Sequence, residues 1–333
     1  MSKNFSEEQY KKLYAKILPA DSLYQSLLSC KKKQGNRKKY YIAAGISLAV
    51  FVSSFTVYAM THASLVKEFF GNLDNQKLAQ EYYTDINQQI TCDGNIYTIE
   101  GNIYSEELGK GYLAIKVTGK ENEAPDVSWD DAIMPTARTA LGAIGLKVEK
   151  SFVGIIFSKE VGSTAKIAKE EDGTYIYIAY YDDARQKEPL KISIQMQKNI
   201  EDKYQQLFAE NDSLESNTKA AFYSECEWTD LSYQQMQTIQ KDCGNGVTIL
   251  MNNFDVCVEW NDNREKIDNI TLIDLSGNRH ELLKDGKTVT IEGQWEGNVI
   301  EQGENGDCRL YARLEDMITL EDVQVEINGQ LIK

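Results

Sequence analysis

From Tyr40 to Met60 the chain runs 21 residues without an Asp, Glu, Lys, Arg or His. Leu48, Val50, Phe51, Val52, Phe55 and Val57 make the stretch apolar, and Ala43, Ala44 and Gly45 are small. A helix of this length, rising about 1.5 Å per residue, is roughly 30 Å long, the thickness of a bilayer's hydrocarbon core. It also satisfies its own backbone polar groups, which lipid cannot do. Tyr40, Tyr41 and Tyr58 fall near its ends, where amphipathic rings favour the headgroup zone. The spacing therefore predicts one transmembrane helix over residues 40–60. A buried core helix is rarely this long without a charge, and a signal peptide has a shorter apolar region and leader. Val57 and Ala59 do form a cleavage-site pattern, so whether the span is cleaved stays open.

Charge divides at the same place. Residues 1–39 hold ten Lys/Arg against three Asp/Glu, net +7, so the formal −15 of the whole chain leaves −22 for the rest. Lys31, Lys32, Lys33, Arg37, Lys38 and Lys39 crowd the residues before the apolar stretch, and Lys67 is the first basic residue after it. The positive-inside rule puts the N-terminus in the cytoplasm and the C-terminus outside, in a single pass of the cell membrane. Each of those six cations is worth about 1 kcal/mol beside an anionic leaflet, which makes them membrane-surface residues with the lipid bilayer as partner. An exterior this acidic excludes nucleic acid as a partner.

The basic cytoplasmic segment, residues 1–39, is too short for a core of its own. Ser6 and Gln9 form a capping box ahead of Tyr10, Leu13, Tyr14, Ile17 and Leu18 at helical spacing. Pro19 ends that helix, and Asp21 or Ser22 caps a second one carrying Leu23, Tyr24, Leu27 and Leu28. Two short amphipathic helices leave an apolar surface that 39 residues cannot bury. It reads either as a docking element for a cytoplasmic protein, with Tyr10, Leu13, Tyr14, Ile17, Leu23, Leu27 and Leu28 as anchors, or as an interfacial helix lying on the membrane.

Beyond the span, residues 61–88 read as a helical stalk, with Leu65, Phe69, Phe70, Leu73, Leu78 and Tyr82 at helical spacing. From Ile90 the period becomes two, as in Ile99, Gly101, Ile103 and in Leu113, Ile115, Val117, with turns at Asp93-Gly94-Asn95, Gly109-Lys110-Gly111 and Asp172-Gly173. A helical stretch over 199–218, carrying Tyr204, Leu207, Phe208 and Leu214, separates a first β-rich domain (89–198) from a second (219–333). Strands at this spacing without a strand–helix rhythm favour two β-sandwiches. The expected fold class is thus a mainly β ectodomain of two sandwich-like units, with a short α-helical cytoplasmic segment and one transmembrane helix.

Chemistry is scarce. His62 and His280 are the only histidines, and no C-x-x-C pair, G-x-S-x-G elbow or P-loop occurs. No catalytic, cofactor-binding or metal-binding residue is assigned, and no cofactor is expected. Asp126, Asp130 and Asp131 around Trp129, and Asp255, Glu259, Asp262 and Glu265 around Trp260, read as solvated acidic faces. Cys226 with Cys243, or Cys257 with Cys308, could pair in an oxidising compartment, but all five outer cysteines, Cys92 included, fit equally as small buried hydrophobes. Cys30 lies inside.

The order of these segments resembles the single-pass, anti-sigma-factor-like proteins of low-GC Gram-positive bacteria, whose outer part is an uncharacterised β-rich domain. Ile99-Glu100-Gly101-Asn102-Ile103-Tyr104 with Gly111-Tyr112-Leu113-Ala114-Ile115-Lys116-Val117 looks like that domain's opening strand pair. Leu320-Glu321-Asp322-Val323-Gln324-Val325-Glu326-Ile327-Asn328-Gly329 looks like its closing strand. The resemblance implies a non-enzymatic membrane regulator whose cytoplasmic helices hold a sigma factor while the exterior senses an unknown extracellular ligand. Two other functions fit the residues: a cell-surface binding or adhesion protein for a wall polymer or surface protein, and a membrane-anchored glycan hydrolase using paired carboxylates.

Overall fold

In the computed structural model, Asp93-Gly94, Asp285-Gly286 and Asn328-Gly329 all adopt positive φ at both residues. This is the geometry of the tight turn that joins two antiparallel strands with the right twist. They close the hairpins Cys92↔Asn95, Lys284↔Lys287 and Ile327↔Gln330. The structure describes residues 64–71, 73–120, 123–129, 144–159, 161–182, 189–210, 224–244, 246–261, 266–289, 298–303, 306–314 and 323–332. The expected cytoplasmic helices, the basic run and the uncharged stretch lie outside these. Among the described residues no helix is long and apolar enough to cross a membrane.

The fold is mainly β, in four antiparallel five-stranded sheets. The first comprises β1 (Thr84–Cys92), β2 (Asn95–Ser105), β3 (Lys110–Thr118), β7 (Gly162–Glu170) and β8 (Gly173–Tyr181), ordered β1-β2-β3-β8-β7. The second comprises β4 (Val127–Trp129), β5 (Ile144–Val148), β6 (Ser151–Phe157), β9 (Lys191–Met196) and β10 (Thr229–Asp230), ordered β10-β9-β6-β5-β4. Ile99, Leu113, Ile115 and Ile176 of the first sheet share one core with Leu146, Val153, Ile155 and Ile192 of the second, so the two sheets make a sandwich.

The other two sheets repeat the arrangement. One is ordered β11 (Ile239–Asp242), β12 (Thr248–Met251), β13 (Asp255–Asn261), β18 (Asp307–Arg313), β17 (Val299–Gln302). Its partner is ordered β16 (Lys287–Thr288), β15 (Arg279–Lys284), β14 (Ile270–Ile273), β19 (Gln324–Ile327), β20 (Gln330–Ile332). Val256, Val258, Leu310 and Ala312 meet Ile270, Leu272 and Val325 in the second core. Of the stretches singled out for the resemblance, the opening pair forms β2 and β3, paired antiparallel from Ile96↔Thr118 to Ser105↔Lys110 after β1, and the closing one holds β19, which pairs with β20 after it.

The first sheet is covered on both faces. Every residue of β8 is buried, because Ile176 and Ile178 face the sandwich core while Tyr175, Tyr177 and Ala179 face outward under helices. Those helices are residues 64–69 and α1 (Leu73–Tyr82). The stretch expected as a stalk is therefore a covering layer in its described part, and it gives way to strand at Thr84, where β1 pairs with β2. A second helix, α2 (Gln197–Glu210), follows β9 directly.

Cys92, Cys226, Cys243, Cys257 and Cys308 are buried thiols rather than disulfides. Cys257 pairs across the ladder with Tyr311, three residues from Cys308, so Cys257 and Cys308 point to opposite faces of their sheet and cannot bond. Burial pushes the Cys92, Cys226 and Cys243 thiols up, which keeps them protonated and unreactive.

Candidate functional site

Alternation along β13 sends Val256, Val258 and Trp260 into the second core and leaves Asp255, Cys257 and Glu259 on the opposite face. On β18 the register places Arg313, Tyr311 and Arg309 directly across from those three. The Glu259–Arg309 pair, 2.9 Å apart, is half-buried. The other two pairs are covered by the first sandwich, which lays the β2–β3 turn and the end of β8 over them: Leu108 and Tyr181 pack with Leu250, Cys257 and Tyr311.

The covered polar groups find partners across this joint. Lys110 Nζ donates to Asp255 Oδ1 at 2.8 Å, with side chains 0% and 2% exposed. Tyr112 OH donates to the same oxygen at 2.5 Å. Asn252 Oδ1 accepts from the N–H groups of Phe254 and Asp255, both at 2.8 Å, which fixes the corner that presents them. Charges this deep are tolerable only when paired and hydrogen-bonded.

The chain that enters the body from residue 64 plugs into the same joint. Leu65, Val66, Phe69 and Phe70 are buried. The Phe70 ring lies 4.8 Å from Phe254 and 5.3 Å from Tyr112, and the Arg313 guanidinium stacks over it at 4.7 Å. One residue earlier, Phe69 contacts Tyr112 at 4.7 Å and Tyr177 at 6.1 Å. At its other end Ser64 Oγ donates to Glu100 Oε2 at 3.3 Å. Glu100 is 5% exposed and sits at the bulge where the β2–β3 register shifts between Ile99 and Gly101. Burial holds its carboxyl up at about 7, assisted by Asp172 and Glu170 and opposed by Lys116 and the Ser64 bond.

Sequence reasoning missed this site. Lys110 is expected in a turn, yet it is the first residue of β3 and its side chain enters the joint, while Gly111 beside it leaves room for the Tyr180 ring. Asp255 is corrected from a solvated acidic face to a buried ion pair, since parity puts it opposite Trp260 and beneath the first sandwich. Asp126 is exposed and 2.5 Å from Lys169, and Trp129 is 43% exposed. Asp130, Asp131, Asp262, Glu265 and His62 lie outside the described residues, as do all the proposed partner anchors and membrane-surface cations. His280 Nε2 stands 3.6 Å from Asp274 in a turn. Among the described residues no group of three or more His, Cys, Asp or Glu is placed to hold a metal ion.

No family model and no curated protein matches this chain. Among solved structures it is similar to a conserved domain protein from Bacillus anthracis. The two are 12% identical over 76% of this chain and 81% of that one, with a TM-score of 0.36. A likeness this faint fixes neither function nor partner. The joint has to be read on its own chemistry.

Proposed function

We propose that the protein is a membrane-anchored, non-enzymatic regulator of the anti-sigma-factor-like kind. Residues 1–39 capture a cytoplasmic protein, of which a sigma factor is the specific form implied by the resemblance. Residues 40–60 cross the bilayer once, steadied by Lys31–Lys33 and Arg37–Lys39. The two sandwiches lie outside the cell; the first runs from β1 to β10, so the expected boundary at 199–218 falls inside it and not between the two.

The observation that carries this reading is the plug made by Phe69 and Phe70. A chain that served only as an anchor would need no more than a flexible tether between span and body. Here the segment that follows the uncharged stretch is built into the seam between both sandwiches, against Tyr112, Phe254 and Arg313. Packed interfaces are bistable rather than continuously deformable, so a shift of one sandwich on the other is felt at residues 64–70.

The test is capture of a partner by the full chain from detergent-solubilised cells, beside a Leu13→Asp/Ile17→Asp chain. Recovery of a sigma factor by the parent alone supports the reading. Equal recovery by both chains, or none by either, removes the cytoplasmic half of it.

A further inference from the structure

The first sandwich does not close along one side. The sheet ends there in β1, and β10 covers β9 only at Lys191 and Ile192. Between β1 and the rest of β9 opens a cleft of about 740 Å³, floored by Ser193 and Ile194 and continued by α2 and the chain leading into β10. Its size falls within the usual range for small-ligand clefts, roughly 300–1,000 Å³, but its chemistry does not match the usual apolar lining.

Amides, one indole, three carboxylates and one ammonium line it, beside Ile90, Thr91 and Thr229. Gln88, Gln89 and Asn199 are planar amides, each able to donate and accept at once, and Gln195, a fourth, already donates to Ser193 Oγ at 3.1 Å. Trp228 is half-buried and supplies an apolar ring face with one donor. Asp202, Glu225 and Glu227 are exposed carboxylates, set against the single ammonium of Lys203, which lies 3.2 Å from Glu225.

We infer that this cleft binds a short oligosaccharide, neutral or amine-bearing, with Trp228 under a sugar ring and the amides on its hydroxyls. Sugar hydroxyls donate and accept together, as amides do, and a pyranose presents a C–H face that an indole covers. Three carboxylates against one ammonium disfavour any phosphate- or carboxylate-rich polymer and favour an amino sugar. This site stands apart from the regulator reading: it concerns what the exterior binds, whatever the cytoplasmic segment holds.

The experiment is calorimetric titration of the full chain in neutral detergent with four probes: a glucosamine tetramer, an N-acetylglucosamine tetramer, poly(glycerol phosphate) and an uncharged extended peptide. Both sugars bind, the amine-bearing one more tightly, and poly(glycerol phosphate) does not. Trp228→Ala weakens both sugars about tenfold. Asp202→Lys/Glu227→Lys, at exposed positions with no fold to lose, removes the preference for the amine and retains the N-acetylated probe. Failure of both sugars overturns the proposal, as does sugar binding indifferent to Trp228→Ala in a chain with unchanged near-ultraviolet dichroism. Binding of the peptide alone also overturns it and makes the open edges of β1 and β9 a strand-accepting groove.

Discussion

Lys110 and Asp255, 145 residues apart in sequence, form an ion pair of 2.8 Å in the joint between two sandwiches, neither side chain more than 2% exposed. Neither has solvent to fall back on. Asp255→Ala leaves a buried ammonium with its carboxylate gone, at an expected cost of about 3–5 kcal/mol. Replacing both, as Lys110→Met/Asp255→Leu, is expected to recover most of that loss. Thermal unfolding of the full chain, followed by near-ultraviolet dichroism, distinguishes the two: a double variant no better than the single one contradicts the assignment.

Glu100 makes the body sensitive to pH. Its carboxyl titrates at about 7 in the folded protein against an ordinary 4.5, chiefly through burial. The folded state thus holds this proton more tightly than the unfolded one. The contribution favours folding fully below 4.5, declines as pH rises through about 7 and is level above that. The span of the effect is about 3 kcal/mol, from the shift at 1.36 kcal/mol per unit. Melting temperatures measured between pH 4.5 and 8 should fall for the parent and fall less for Glu100→Gln, which should be the more stable of the two at pH 8.

Gly111 is a position where any side chain collides. A Cβ there would stand 2.2 Å from Cζ of Tyr180, whose ring is buried and bonded through its hydroxyl to Asn102. Gly111→Ala is expected to destabilise by about 1–3 kcal/mol through overpacking. The pair Gly111→Ala/Tyr180→Phe should gain little back, because Cζ of the ring at 2.2 Å still collides once the hydroxyl at 2.4 Å is gone. Denaturant midpoints check both.

Much of this fold was legible in the chain. Period-two runs at Ile99–Ile103 and Leu113–Val117 are strands, and the Asp93-Gly94 turn joins two of them. What alternation does not say is what covers the second face of a sheet. The run Tyr175–Tyr181 is apolar or aromatic on both parities, which is the mark of a strand covered twice, and its cover is the stretch that reads in isolation as a stalk. The same gap hides the joint. Asp255, Cys257 and Glu259 alternate as an outward row, and only the arrival of a second sandwich turns two of the three into interior residues. The cleft escaped because one wall, β1, is distant in sequence from the other, formed by β9 and the start of α2.

The thiols offer a check on compactness. Cys92, Cys226, Cys243, Cys257 and Cys308 are all buried, and the first three are held protonated by that burial. These five should resist maleimide in the native chain and react together once denaturant passes the unfolding midpoint. Rapid native labelling of any of them would mean that its sheet opens.

The most direct test of the coupling is partner capture by the full chain carrying Phe70→Ala, which empties the plug between Tyr112, Phe254 and Arg313 while leaving residues 1–66 unaltered. At equal membrane levels, the proposed regulator carrying Phe70→Ala should recover a different amount of its cytoplasmic partner from the parent. Identical recovery, from a variant whose unfolding transition has moved, would show that the joint and the cytoplasmic segment act independently.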